Sequence, residues 1–219
     1  MFKNTTRKSA MCAGFVLTAG SLLCATETAS ASLIIYGDTA NSSEGLGNYT
    51  GSLDYIYAGG SQGWLTVSLT NTSDPLNGGF ITGFAFNMAS TDDSAVAMLI
   101  SGSHPFTGIT NANAAPYGVF DAGAALGGNW IGGGSPNAGI AVGDTGVFVF
   151  SILASDAMNL AAESFIAGPG YGFIVRMRGF ADGGSDKIPG TTDMPVPAPA
   201  AASLLAIAGL VGFRRRRSA

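Results

Sequence analysis

The sequence predicts an all-β chain built around one antiparallel β-sandwich, with a jelly roll as the alternative architecture. Glycine accounts for 33 of the 219 residues, and all but four of these glycines lie between residues 32 and 193. Because glycine disfavours the interiors of helices and strands, this density indicates many turns. The apolar segments between the turns are short and rich in aromatic and β-branched residues, as is typical of strands. No part of residues 32–193 shows a sustained helical period, so short strands joined by turns are expected.

Seven segments have the pattern expected of strands. In Trp64–Asn71 apolar and polar residues alternate, and in Phe80–Asn87 the rings of Phe84 and Phe86 fall on one face. The predicted strands are Leu33–Tyr36, Asp54–Tyr57, Trp64–Asn71, Phe80–Asn87, Ala95–Ser101, Gly146–Leu153 and Tyr171–Phe180.

The connections between these strands are predicted from turn-forming residues. Polar clusters at Asn71–Asn77 and Asp182–Lys187 indicate turns. The span Gly102–Gly143 is rich in glycine and small residues, and it predicts long surface loops with room for one hairpin. Ser155–Phe165 is compatible with one short helix.

The segment from residue 32 to residue 193 is strongly acidic and forms a single domain by length. It holds thirteen of the fourteen Asp and Glu residues but only three of the ten Lys and Arg residues, namely Arg176, Arg178 and Lys187. Its net charge is therefore −10, against −4 for the whole chain. This charge argues against nucleic acid as a partner, and it is compatible with divalent cations.

Residues 1–31 have the three parts of a secretory signal peptide. Basic residues precede an apolar stretch, Ala10–Cys24, and the small residues Ala29 and Ala31 form a site for signal peptidase after Ala31. A lipoprotein signal is disfavoured, because the bulky Leu23 precedes Cys24. Both cysteines of the chain lie in this segment, so the mature protein is expected to be stabilised by packing, without disulfides.

Residues 194–219 combine a proline-rich motif, an apolar run and a basic cluster. The motif is Val196, Pro197, Ala198, Pro199 and Ala200, and the cluster is Arg214, Arg215, Arg216 and Arg217. Residues 200–213 carry no charge and would form about 21 Å of helix, which is short for a bilayer core of about 30 Å. The pattern predicts a single transmembrane helix with the arginines on the cytoplasmic side.

This three-part order resembles the PEP-CTERM sorting signal, in which the usual motif is Pro-Glu-Pro and Ala198 here takes the place of the glutamate. The resemblance implies export by a Gram-negative bacterium that makes exopolysaccharide. It also implies recognition by an exosortase, a membrane transpeptidase that cuts near the motif. The protein would then be anchored in the membrane transiently and passed to the cell surface or the extracellular matrix.

Candidate binding residues are few, and no catalytic residue is predicted. Asp182 and Asp186 offer oxygen ligands suited to calcium within a glycine-rich turn, for which a solvated turn is the alternative interpretation. Trp130 lies in a glycine-rich loop and is the candidate for stacking on a sugar, with simple packing as the alternative, whereas Trp64 is expected in the core. His104 is the single histidine, and no spacing marks a nucleophile or a carboxylate pair.

The leading functional hypothesis is therefore an exported, non-enzymatic surface or matrix protein with a structural or interaction role. Exosortase and signal peptidase are its expected processing partners, and exopolysaccharide is its expected surroundings. A carbohydrate-binding module is the second hypothesis, and an exported hydrolase is the third. Apart from calcium, no cofactor is expected.

Overall fold

The computed structural model describes residues 32–131, 133–168 and 170–192, and in this part of the chain the protein is all-β, as predicted. The signal peptide and the sorting motif, with Ala29, Ala31, Val196–Ala200 and Arg214–Arg217, lie outside the described residues. The ten strands are β1 Leu33–Gly37, β2 Tyr49–Gly59, β3 Gln62–Asn71, β4 Gly78–Phe86, β5 Val96–Gly102, β6 Phe106–Asn113, β7 Val119–Leu126, β8 Thr145–Leu153, β9 Phe173–Phe180 and β10 Ser185–Thr191.

Helical structure among the described residues is limited to short 3-10 turns. They comprise Thr39–Asn41, Pro136–Ala138, Ala157–Asn159 and Ala162–Phe165. The last two replace the one short helix expected between residues 155 and 165. Within the described residues, no helix has the length and apolarity that crossing a membrane requires.

The strands pair antiparallel throughout, in the order β5-β8-β3-β2-β1-β10-β9-β4-β7-β6. Only two residue pairs join β1 to β10, Tyr36 with Thr191 and Gly37 with Gly190, so the sheet bends there into two five-stranded halves. The two edge strands, β5 and β6, also approach each other: a Cβ added to Gly108 of β6 would lie 3.2 Å from the Cβ of Leu99 of β5. The result is an antiparallel sandwich that nearly closes into a barrel.

The core between the two halves follows from the alternation of side chains along each strand. In β3, Leu65, Val67 and Leu69 are fully buried, and the residues between them face outwards. Phe84 of β4 reaches across the sandwich, with its ring centroid 4.9 Å from that of Phe148 of β8. The burial of these apolar side chains is the main source of stability, because the described domain contains no cysteine.

In the span Gly102–Gly143 the prediction of long loops is wrong for the paired strands β6 and β7, which form the one hairpin that the prediction allowed. The small residues that suggested a loop are required by packing: a Cβ at Gly123 of β7 would lie 2.1 Å from the carbonyl oxygen of Phe84. The predicted turn Asp182–Lys187 is likewise wrong in its second half, where β10 begins at Ser185.

Both ends of the described domain lie at the same end of the sandwich. The chain leaves β10 at Thr191, opposite Tyr36, and runs antiparallel to β1 towards Ser32. Four residues of extended chain separate Tyr36 from Ser32, which corresponds to about 13 Å. The segments before residue 32 and after residue 192 therefore emerge from the same end of the domain.

Candidate functional site

The three basic side chains of the described domain lie together on the outer face of one half of the sandwich. Arg176 and Arg178 alternate with the buried Val175 and Met177 in β9, so both point outwards. Lys187 of β10 is the direct cross-strand partner of Arg176. Alternation along the predicted strand Tyr171–Phe180 puts both arginines on one face. The sequence does not place Lys187 beside them, because its pattern there predicts a turn.

Two loops cover this face and form a second, smaller core over it. They are residues 114–118, which follow β6, and residues 127–131 and 133–135, which follow β7. The small core comprises Ala85, Ile109, Ala112, Ala114, Phe120, Ala125, Trp130 and Ile174. The loops consequently place backbone carbonyl groups directly above the basic side chains.

Each basic side chain donates to one of these carbonyl groups. A guanidinium N–H of Arg176 donates to the carbonyl of Trp130, and Nη2 of Arg178 donates to that of Gly133 at 2.8 Å. Nζ of Lys187 donates to the carbonyl of Ala115 at 2.6 Å. Among the described residues, no carboxylate accepts a hydrogen bond from any of the three. Backbone carbonyl dipoles therefore stabilise these three positive charges.

A cavity of about 280 Å³ opens between these groups, and we call it the basic pocket. Its lining residues are Asn113, Ala115, Trp130, Ile131, Arg176 and Lys187. Its volume is near the lower end of the range for small-molecule pockets. It combines two cations and an amide with the apolar surfaces of Ile131 and the indole.

The donors around the basic pocket are incompletely satisfied. Burial, followed by the neighbouring charge of Arg178, lowers the pKa of Arg176 from its ordinary value. Nε of Arg176 and Nε1 of Trp130 are buried and have no hydrogen-bond partner. A buried donor without an acceptor is unfavourable, because it has given up water without replacement. The two cations that line the pocket, Arg176 and Lys187, suit an anionic group that carries several acceptor oxygens, whereas the two buried donors have no surface from which to reach it.

Of the two tryptophans, Trp130 is packed, as its alternative interpretation predicted, and Trp64 is not in the core where it was expected. Trp130 is only 5% exposed, so it is not the stacking platform that its glycine-rich loop suggested. Trp64 is partly exposed on the outer face of the other half of the sandwich, because Leu65 takes the inward position of β3. Trp130 is buried because its loop packs against the outer face of the sheet, where the indole joins Ile174 and Ala85 in the smaller core.

The structure assigns Asp186 a role other than calcium binding. Its side chain is fully buried, and Oδ2 accepts the backbone N–H groups of Leu46 at 2.8 Å and Gly47 at 3.1 Å. Oδ1 accepts from the backbone N–H of Glu44 at 3.0 Å and from the Ser43 hydroxyl at 3.1 Å. These donors occupy the oxygens that a metal ion would need.

Asp182, the other calcium candidate, is exposed and closes the turn before β10. Its carboxylate accepts the backbone N–H of Gly184 at 2.7 Å. No group of three or more His, Cys, Asp or Glu side chains within the described residues is arranged to hold a metal ion. The geometry of Asp182 therefore agrees with the alternative interpretation of this segment as a solvated turn. The geometry of Asp186 gives no support to a calcium site.

A second cavity, of about 540 Å³, is lined in part by Asp92, Asp93 and Asp121. Its carboxylates serve as acceptors for nearby backbone: Asp121 accepts the N–H of Met88 at 2.8 Å, and Asp92 accepts that of Ser155 at 2.6 Å. These bonds hold the β4–β5 connection in place, and they give no indication of a catalytic carboxylate pair.

The β4–β5 connection should loosen at acid pH. Hydrogen bonds from Ser94 and Ser155 lower the pKa of Asp92, and those from Ser90 and Thr91 lower the pKa of Asp156. Carboxylates with lowered pKa values contribute their stability above the ordinary value of 3.8 and lose it as the pH falls below that value.

Amide hydrogen exchange at pH 6 and pH 3, corrected for intrinsic rates, tests this expectation. The N–H groups of Thr91 and Ser155, which donate to these carboxylates, should lose protection at the lower pH, whereas those of β3 should not. Equal protection of Thr91 at the two pH values would contradict the assignment.

The hydrolase hypothesis gains no support from the surroundings of His104. Its Nδ1 lies 3.0 Å from the hydroxyl of Ser103, the preceding residue. Within the described residues no carboxylate is hydrogen-bonded to this imidazole, as the third member of a Ser–His–Asp triad would be. Glu44 and Glu163, the two glutamates of the domain, lie in separate connections, one after β1 and one after β8.

No family model and no curated protein matches this chain. One solved structure that aligns with it is a biomass-sensing module of an Rsgi-like protein from Clostridium thermocellum, described as resembling the family 3 carbohydrate-binding module of the cellulosome. The alignment has 9% identity, covers 68% of this chain and 92% of that chain, and has a TM-score of 0.30. A likeness at that score carries no argument, so the function proposed for this chain rests on its own residues.

Proposed function

We propose that this protein is an exported surface or matrix protein of structural or interaction type, delivered through an exosortase-dependent sorting signal. The observation that carries the proposal is the order of elements in residues 194–219: a proline-rich motif, an apolar run and an arginine cluster. The resemblance to PEP-CTERM signals gives this order a specific meaning, because each element corresponds to one step. The apolar run is held in the membrane, the arginines set its orientation, and the motif is cut.

The shape of the domain supports this route. The signal peptide precedes β1, the sorting segment follows β10, and these two strands are neighbours in the sheet. Both membrane-directed segments therefore leave from one end of the sandwich, and a domain attached at that end projects its opposite end away from the bilayer. The acidic charge of the domain keeps it clear of an anionic membrane surface.

Intact mass spectrometry of the protein from its native host tests the sorting proposal. We expect the surface fraction to contain a chain that begins at Ser32 and ends near Pro197–Ala200, with or without an added group. A variant with both Pro197→Ala and Pro199→Ala should keep its tail. The matched variant Ala198→Glu, which restores the usual motif, should be processed at least as completely as the wild type.

Either of two results would overturn the proposal. One is a surface-fraction protein whose mass still includes Arg214–Arg217. The other is a double proline variant that is processed like the wild type. In the first case the apolar run would be a lasting anchor, and in the second case cleavage would be unrelated to the motif.

A carbohydrate-binding role is the second candidate function, and the basic pocket favours it. The pocket pairs charged donors with apolar walls, as sugar-binding sites do, and it lies on an outer face that the two covering loops leave open at Ile131, which is 74% exposed. No comparable observation favours the hydrolase.

A further inference from the structure

We propose that the basic pocket binds the carboxylate groups of an acidic polysaccharide, that is, of uronate residues. This inference rests on the proposed function, because it takes the matrix as the surroundings of the domain. It goes beyond the sorting signal by giving the sandwich itself a ligand.

The distribution of charge is the first argument. Acidic residues greatly outnumber basic ones in this domain, so each cation has many potential acidic partners. All three cations nevertheless collect on one face and donate to carbonyl oxygens. A cation that lies on a half-buried surface without a hydrogen-bonded carboxylate gains from a counter-charge that binds beside it. A bound carboxylate supplies that charge.

The chemistry of the pocket walls is the second argument. Arg176 and Lys187 face each other across neighbouring strands and can both donate to one carboxylate. Ala115, Ile131 and the edge of Trp130 provide apolar surface for the C–H groups of a sugar ring. A phosphate or sulfate ion would use the cations but not these apolar walls.

The charge of the whole domain narrows the ligand further. A polymer of very high charge density, such as nucleic acid with one charge per about 1.7 Å, is repelled by a domain of net charge −10. A uronate polymer carries one carboxylate per sugar ring, and its local contact with the pocket can be favourable while its more distant charges are screened by salt. The pocket therefore fits a uronate chain better than it fits a denser polyanion.

The test uses the mature protein recovered from its host and oligogalacturonate as the probe. We expect ¹H–¹⁵N spectra to show a saturable shift of the Trp130 indole resonance, and weaker binding as salt is raised. The Trp64 indole, on the opposite face of the sandwich, is the internal control and should not move. Fully methyl-esterified oligogalacturonate has the same rings without the charge, and it should not compete.

Lys187→Met removes one cation from a partly exposed position, and we expect its affinity for oligogalacturonate to fall about tenfold. Lys187→Arg keeps the charge and should restore most of the affinity. Because Arg176 also holds the covering loop, its variants could lose the fold, so Lys187 is the better position to change. The melting temperature of each variant verifies that the sandwich is intact.

Several outcomes would overturn the inference: no shift of the Trp130 indole, equal binding of the esterified probe, or equal affinity of Lys187→Met and wild type. Displacement of the oligosaccharide by sulfate, at a sulfate concentration equal to that of the uronate carboxylates, would also overturn it. A simple anion site would then explain the data. Failure here leaves the sorting proposal intact, since processing of the tail is measured separately by mass. Conversely, a protein that binds uronate but keeps its tail would contradict the sorting proposal alone.

Discussion

Asp186→Ala is expected to lower the free energy of unfolding by about 3 kcal/mol. The wild-type carboxylate, fully buried, accepts four hydrogen bonds from residues 43–47, and truncation leaves those donors to water or to no partner. For a domain of this size the loss corresponds to a fall in melting temperature of roughly 10 °C. Denaturant titration followed by circular dichroism measures it.

Two further variants distinguish the effect of losing these hydrogen bonds from the effects of lost packing volume and of a change in the neighbouring turn. Asp186→Asn keeps the shape but turns an N–H group towards backbone N–H donors, so it should also destabilise strongly. Asp182→Asn, in the exposed turn nearby, keeps an acceptor for Gly184 and should change stability by less than about 0.5 kcal/mol. Equal stabilities for the Asp182 and Asp186 variants would contradict the role given to Asp186. A large rise of the wild-type melting temperature with added calcium would instead support Asp186 as a calcium ligand.

Phe84→Ala is expected to cost about 4 kcal/mol, a larger effect than that of Asp186→Ala. Phe84 is fully buried and links the two halves of the sandwich: its ring centroid lies 4.9 Å from that of Phe148 and 5.9 Å from that of Phe150, both in β8. It also stacks on Phe173 of β9 at 6.0 Å. Removing the ring leaves a cavity at the centre of the only large core that the described domain has.

The effect of Phe84→Ala should appear as a fall in melting temperature of roughly 12 °C and as a weaker near-ultraviolet circular dichroism signal. Phe84→Leu should recover part of the loss, because it refills some of the volume. Met98→Ala, at an outward position of β5 that is 54% exposed, is the matched control and should change stability by less than about 1 kcal/mol. A Phe84 variant as stable as the Met98 variant would show that the two halves do not pack through this ring.

Most of the strands could be predicted because strand signals are local. Alternation in β3 and paired phenylalanines in β4 identify an inward face without knowledge of any partner strand. The sequence allowed one hairpin between residues 102 and 143 but did not locate β6 and β7, for a physical reason: β7 must be small at Gly123 to let the backbone of Phe84 approach, and small residues are also typical of loops. Strand β10 was missed because its polar start, Ser185 to Lys187, resembles the turn that precedes it.

The all-β class, the acidic charge, and the signal and sorting segments that predict export can all be read from the amino-acid sequence without a structure. These properties depend on composition and on the order of neighbouring residues. The folded chain was needed to establish that Asp186 fixes a loop 139–143 residues away, that Trp130 is buried and Trp64 partly exposed, and that Arg176, Arg178 and Lys187 gather on one face. The reason is that hydrogen-bond donors, covering loops and cross-strand neighbours come from distant parts of the chain, and only folding brings them together.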